Sequence, residues 1–367
     1  MARAARPLLI VEPSRYAGRS ARQARWLLAA LALALLVALL SAGFDAAPGS
    51  LIEITNAGVV EAMRHGSDYY TASLQAARSA DAPSRLLLTF PLPTLAVLQA
   101  AMGQVAAALL LYALAMLTLF AWWKRLRSAI PRPPVRTVAI VLAAMGMVSA
   151  LLGEFVAVHD LWAGLLLSLS LATRTPRHWI TAAALGLMAA MIRETAALYL
   201  SLMLAVALLE GHRREAAGWA IAMAVFAAAV IVHLQAITAV MGALDDPQSG
   251  DWAGAAGFGF ALHAIAASTA LSLLPSGIAA LLVALAIAGW SAWRSPLATR
   301  ALATILAFVI VLTFWSGPGR AHWAFLVAPL VPIGLIFVPD ALRDLARAAL
   351  DRRRITVTRT AARAGYF

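Results

Sequence analysis

Residues 26–43 read WLLAALALALLVALLSAG without a charge, and longer apolar runs fill 92–123 and, after Glu215, 216–242. About 20 such residues in a helix cross the hydrocarbon core of a bilayer. A chain that carries several of these runs is a polytopic membrane protein, so the fold class expected is an all-α bundle of spanning helices. Composition agrees, with 62% hydrophobic and 13% charged residues against about 45–50% and about 25% in soluble domains. A soluble globular fold and a disordered chain are both excluded. No polar stretch exceeds about 50 residues, the low end of domain size. A single transmembrane domain over residues 1–340 is therefore expected, with a basic tail over 341–367.

The net charge of +12 suggests a nucleic-acid partner only if the basic residues cluster as a binding patch. They are distributed otherwise. With the N-terminus in the cytoplasm, Arg3, Arg15, Arg25, Lys124, Arg127, Arg174, Arg213, Arg294 and the Arg-rich tail all fall on one side. This is the positive-inside bias that orients spans. Nucleic acid is excluded as a partner, the bilayer is the environment, and both termini are expected in the cytoplasm. The absence of cysteine excludes disulfides, a thiol nucleophile and thiolate metal sites. The basic start followed by an apolar run resembles a signal peptide, but the run exceeds the usual 7–15 residues, which favours an uncleaved first span over 26–43.

From that start, 44–90 is an outer loop and 91–338 holds the remaining spans. The second covers about 91–123, and 124–136 is a cytoplasmic loop. Between 137 and 209 the pattern is irregular: polar residues interrupt at Glu154 to Asp160, where the following helix is expected to begin near Phe155, and again at Arg193–Glu194, where a hairpin of short helices is expected. Eight to ten spans result, with ten preferred. Residues 215–241, 258–293, 301–315 and 323–338 follow, with Pro275 expected to kink or split the second of these.

Under this topology the outer side collects most of the 17 acidic residues. It also receives Arg64, Arg78, Arg85, Arg193 and Arg320, which break the inside bias. Glu154, His159, Asp160, Glu194 and His322 lie on the same side. Polar groups at membrane depth are costly and point to function. Glu154, His159, Asp160 and His322 offer oxygen and nitrogen donors for a divalent cation, but no HExxH spacing is present; no metal and no cofactor are assigned. His159 and Asp160 are expected to orient substrate or to pair with Arg193, for which Glu194 and Glu154 are the other carboxylates nearby. The outer loop reads as an amphipathic helix, LIEITNAGVVEAMRHG, in which Ile52, Val59, Val60 and Met63 recur near helical spacing. It suits either a helix on the bilayer surface or a lid over a lipid-borne substrate.

That loop, with DYY after Gly66 and RLLLTFPLPTLAVL leading into the second span, resembles the GT-C superfamily of integral-membrane glycosyltransferases. HDLWAGLLLSLSLA, MIRETAALYLSLMLAVALLEGHRREA and GPGRAHWAFLVAPLVPIGL before a basic tail add to the likeness. It is closest to bacterial polyprenol-phosphate-mannose-dependent mannosyltransferase-like proteins of glycosyltransferase family 87. Glu53 stands where that family has a first-loop Asp, and Phe90-Pro91-Leu92-Pro93 where it has aromatic-Pro-Pro. The resemblance implies a GT-C bundle that moves a sugar, such as mannose or another hexose, from a polyprenyl-phosphate donor to a lipid or glycan acceptor at the outer face of the plasma membrane. In such an inverting transfer a carboxylate removes the acceptor's proton and fixed positive charge receives the departing phosphate. Glu53 is then the expected base, with Asp45 as nearest substitute. Arg193 and Arg320 are expected on the phosphate, and Glu154, His159, Asp160, Glu194, His322 and Arg85 around the substrate. A transporter or flippase, or a non-catalytic membrane protein, is the alternative. A transporter places its polar groups on broken helices near the midplane.

Overall fold

The computed structural model describes residues 7–41, 50–79, 90–241, 255–315 and 318–351. Helices and short 3₁₀ stretches make up its regular structure, and no strand occurs among the described residues. Helix α1 (Ala21–Leu40) starts before the apolar run because Ser20 and Gln23 form a reciprocal capping box, with bonds of 3.3 and 3.4 Å. The first apolar helix thus occupies Ala21–Leu40 and takes in most of the apolar run.

The segment between the first two apolar runs holds α2 (Ser50–Arg64) and α3 (Tyr69–Ser79). Asp68 caps α3 by accepting from the Tyr70 and Thr71 amides at 3.0 Å. The second apolar run is two helices, α4 (Thr94–Met102) and α5 (Gln104–Ala129), broken at Gly103. That residue has φ +84°, a conformation that costs side chains other than glycine. Val59 and Val60 of α2 are buried with Tyr69 and Ala72 of α3 against Ala96 of α4. The amphipathic face of α2 thus packs on protein.

Helix α6 (Pro133–Met145) leads through 3₁₀ turns at Val148–Leu151 and Gly153–Ala157 into α7 (His159–Thr173). The helix begins at His159, not near Phe155. Every residue of α7 except Thr173 is buried, which puts it at the centre of the molecule. Helices α8 (Trp179–Ile192) and α9 (Ala197–Leu209) are separated by extended backbone at Arg193 and a 3₁₀ turn at Glu194–Ala196, and α10 (Arg213–Met241) follows. The stretch expected as one span over 258–293 is split into α11 (Gly257–Ala267) and α12 (Ser276–Ala292), with Pro275 at the break. Helix α13 (Pro296–Phe314) begins before residue 301 because Ser295 caps it and Pro296 occupies its first position. Beyond it, Pro318–Leu326 and Val331–Phe337 are 3₁₀, separated by a turn over 327–330 that holds Pro329, while Pro332, which lacks a backbone N–H, sits in the first turn of the second stretch. The amphipathic α14 (Val338–Leu350) ends the described chain.

Among the described residues four helices are long and apolar enough to cross a membrane: Ala21–Leu40, Gln104–Ala129, Arg213–Val240 and Pro296–Phe314. There are five if Arg320–Leu326 and Val331–Leu350, bent by 53°, form one span. Their outward faces carry large exposed apolar side chains such as Leu33, Val105, Ile221 and Ile310, a surface suited to lipid rather than water. Inside, small residues let backbones approach closely. A Cβ at Gly289 would lie 1.9 Å from the Gly334 carbonyl oxygen, so α12 and the 331–337 stretch meet backbone to backbone.

Polar contacts gather at the two ends of the helices. At one end the Val11 amide bonds to Ala129 O and the Arg15 amide to Ala292 O, while Arg132 donates to Leu8 O at 2.6 Å. At the other, Gln99 donates to Val156 O at 2.6 Å and Ser149 to Ser268 O at 3.3 Å. The first end holds the Arg-rich segments and the second holds the candidate site.

Candidate functional site

The site begins at the N-terminus of α7. A Cβ at Gly164 would sit 2.1 Å from Phe325 O, so only glycine admits the 318–326 stretch this close to α7. That approach brings His322 over the first turn of α7. The break between α8 and α9 supplies Arg193, whose Nε donates to Asp160 Oδ1 at 3.1 Å while Nη2 lies 3.3 Å from His322 Nε2. His322 Nε2 is 3.7 Å from Asp160 Oδ2. Asp160, Arg193 and His322 are 1%, 6% and 4% exposed. Arg193 therefore pairs with Asp160, 33 residues away in sequence, and not with either glutamate.

Glu194 turns to a different partner, accepting from the Leu92 amide. Pro91 and Pro93 carry no N–H, so Leu92 is the donor the PLP segment can offer. The two carbonyls that precede it are also bonded by side chains: His233 Nε2 donates to Phe90 O at 2.9 Å, and the Tyr69 hydroxyl donates to Pro91 O. With its Nε2 carrying the proton, His233 can accept from the Tyr70 hydroxyl, 3.2 Å from Nδ1. Three side chains from α3, α10 and the Arg193 break thus hold residues 90–92.

His159 precedes Asp160 and is 3% exposed. Its Nδ1 lies 3.2 Å from Ala157 O and 3.3 Å from Nδ2 of Asn56 on α2, which also donates to Ala157 O at 3.2 Å. Among the described residues its Nε2 has no hydrogen-bond partner, and the same holds for Thr195 Oγ1 and Trp323 Nε1. Each belongs to a residue within two positions of Asp160, Arg193 or His322. Unpaired buried polar atoms cost free energy.

The other expected residues are placed as follows. Arg320 is half-buried, donates to Trp315 O at 2.6 Å and lies 5.5 Å from the Trp323 ring centroid. Glu154 is exposed in the 153–157 turn and does not join the buried group. Glu53 lies on α2 one turn before Asn56, within the described backbone. Asp45 and Arg85, together with the acidic segment holding Asp245, Asp246 and Asp251, lie outside the described residues. Among the described residues no group of three or more His, Cys, Asp or Glu side chains is arranged to hold a metal. The donor set weighed for a cation is therefore not assembled, since Glu154 stands apart and Asp160 is bonded to Arg193.

Asn56, Gln99 and Tyr69, which bind backbone around the site, stood out in neither composition nor charge; a polar residue on the packed face of an amphipathic helix was their signal. Also unforeseen was an ionic network at the Arg-rich end. Arg174 contacts Glu215 at 3.0 and 2.6 Å, and the fully buried Arg300 forks onto Glu210. Burial pushes the Glu210 carboxyl up, but the Arg300 fork, with Arg174 and His212 nearby, outweighs it and holds the carboxyl below its ordinary range.

The fold and site define an all-helical protein with several membrane-capable helices and a buried Asp–Arg–His group at one end. No protein-family model matches the chain, no curated protein is significantly similar to it, and no solved structure matches it.

Proposed function

We propose that this chain is an outer-face membrane glycosyltransferase of GT-C type, built from about ten spans with both termini in the cytoplasm of a plasma membrane. It transfers a sugar from a polyprenyl-phosphate donor to a lipid or glycan acceptor. The observation that carries the reading is the buried meeting of Asp160, Arg193 and His322, ringed by unpartnered polar atoms, beneath the outer helices α2 and α3. The segregation of Arg-rich segments to the opposite end supports the orientation.

In this reading the acceptor oxygen attacks the anomeric carbon, the bond from that carbon to the phosphate oxygen breaks, and the phosphate leaves with the electron pair. Arg193, held in place by Asp160, supplies positive charge to the leaving phosphate, because a guanidinium can bind phosphate oxygens through two N–H groups. Arg320, on the same 3₁₀ stretch as His322, supplies a second cation. Glu53, one turn before the Asn56 that docks α2 onto His159, takes the acceptor's proton. His159 Nε2 and Thr195 Oγ1 are left to bond sugar hydroxyls. The reaction requires no nucleotide, and no nucleotide-binding motif is present in the sequence.

The test is the lipid-linked glycan profile of cells lacking the protein. Accumulation of an unmodified acceptor, reversed by the wild-type gene and not by Glu53→Gln, is expected. An unchanged profile rules the reading out. Transport is a second reading, favoured by the helix break at Arg193. In that case the same cells retain the glycosylated lipid but on the wrong side of the membrane.

A further inference from the structure

A second site lies at the opposite end of the bundle. Helices α1, α12, α13 and α14 leave between them an apolar groove of about 260 Å³. Leu27 and Leu31 on α1, Leu285 on α12, Leu302 and Leu306 on α13 and Leu342 on α14 line it. Leu27, Leu306 and Leu342 are 37%, 40% and 38% exposed, so the groove opens sideways where lipid would surround the bundle. Its polar rim is formed by Tyr16, bonded to Ser291, both of which line the groove.

Beside Tyr16 lies Arg15, which donates to Ser295 O at 3.0 Å and to Thr299 Oγ1. Arg294, three residues after Ser291, donates to Ser14 O at 3.4 Å. Among the described residues neither guanidinium bonds a carboxylate. Burial holds the Arg15 guanidinium below its ordinary pKa against the opposing pull of Tyr16, and the Arg294 charge adds a smaller lowering. The carboxylates that face this rim from α14 are already engaged. Asp340 accepts from the Leu8 and Leu9 amides at 2.6 and 2.8 Å, and Asp344 accepts from Ser14 Oγ at 2.8 Å and pairs with Arg343 at 2.9 Å. Helix α1 adds positive charge in its first turns, Arg22 and Arg25, of which Arg25 donates to Ala349 O at 3.2 Å. The result is two neighbouring cations that no described carboxylate bonds, at the mouth of a groove that accepts hydrocarbon.

We infer that the groove binds one anionic glycerophospholipid from the leaflet at the Arg-rich end, its phosphate between Arg15 and Arg294 and an acyl chain along α1 and α13. The neutral carbonyl partners of both arginines leave their charge for the phosphate, and the apolar lining gains by covering a chain. Glycosyl transfer plays no part in this inference.

The test uses the purified full-length chain in detergent, titrated with phosphatidylglycerol, with phosphatidylcholine of the same acyl chains, and with inorganic phosphate, and read by native mass spectrometry. One phosphatidylglycerol should be retained at least about tenfold more tightly than phosphatidylcholine, a difference of about 1.4 kcal/mol. Millimolar inorganic phosphate should not displace it. The double variant Arg15→Gln/Arg294→Gln should bring phosphatidylglycerol down to the phosphatidylcholine level. Ala288→Trp, which fills the groove and leaves both arginines, should lose the lipid as well. Equal retention of the two lipids, retention unaffected by the double variant, or displacement by inorganic phosphate overturns the inference.

Discussion

Arg193 and Asp160 show how much one pair of residues can decide. Both break the expectation that charge stays out of a membrane, which made each visible in the sequence. Their pairing was not visible, because the partner lies 33 residues away and the nearer carboxylate, Glu194, is drawn off by the one amide the PLP segment offers. His322 reaches them only because Gly164 lets a 3₁₀ stretch approach α7, a contact without a local sequence pattern. Removing one member of a buried ion pair leaves the other charge uncompensated, at a cost of about 3–5 kcal/mol, while replacing both can be nearly neutral. Arg193→Ala should accordingly lower the thermal unfolding midpoint in detergent sharply, and Arg193→Ala combined with Asp160→Ala should recover much of the loss. A double variant less stable than the single one would show that the two residues do not act as a pair.

At the scale of elements, hydrophobic runs marked where helices lie but not where they stop. Ends came from single residues: the Ser20–Gln23 capping box, Gly103 at positive φ, Pro275, and Ser295 with Pro296. Pro275 was legible as a break. Gly103 was not, because it sits inside an unbroken apolar stretch and its effect depends on a φ that a sequence does not show. The turn from α9 to α10 is fixed by Glu210, which accepts the fork of Arg300. Its folded-state pKa is depressed from the ordinary 4.5, so the stabilisation is present above that value and is lost as pH falls through the lower folded value. Thermal unfolding followed from pH 7 to pH 3 should show the wild type well above Glu210→Gln at neutral pH, with the gap closing below about pH 4.5. A gap that stays constant across that range would contradict the linkage.

For the whole molecule, the distribution of charge says more than its total. The net +12 divides between an end where arginines carry Glu210, Glu215 and the N-terminal segment, and an end where a few polar residues are buried against α2 and α3. That asymmetry was legible in the sequence; the convergence of Asp160, Arg193 and His322 within it emerged only from the packing around α7. The most direct test of the proposed activity is sugar transfer in proteoliposomes supplied with a panel of radiolabelled polyprenyl-phosphate sugars and a membrane lipid extract as acceptor. The wild-type protein should move label from one donor into the acceptor fraction and release polyprenyl phosphate. Loss of a general base typically costs about 10²–10⁴-fold, so Glu53→Gln should slow transfer by at least about 100-fold while retaining the donor as well as wild type does. Absence of transfer from every donor by the wild-type protein, or an unchanged rate in Glu53→Gln, would contradict the account.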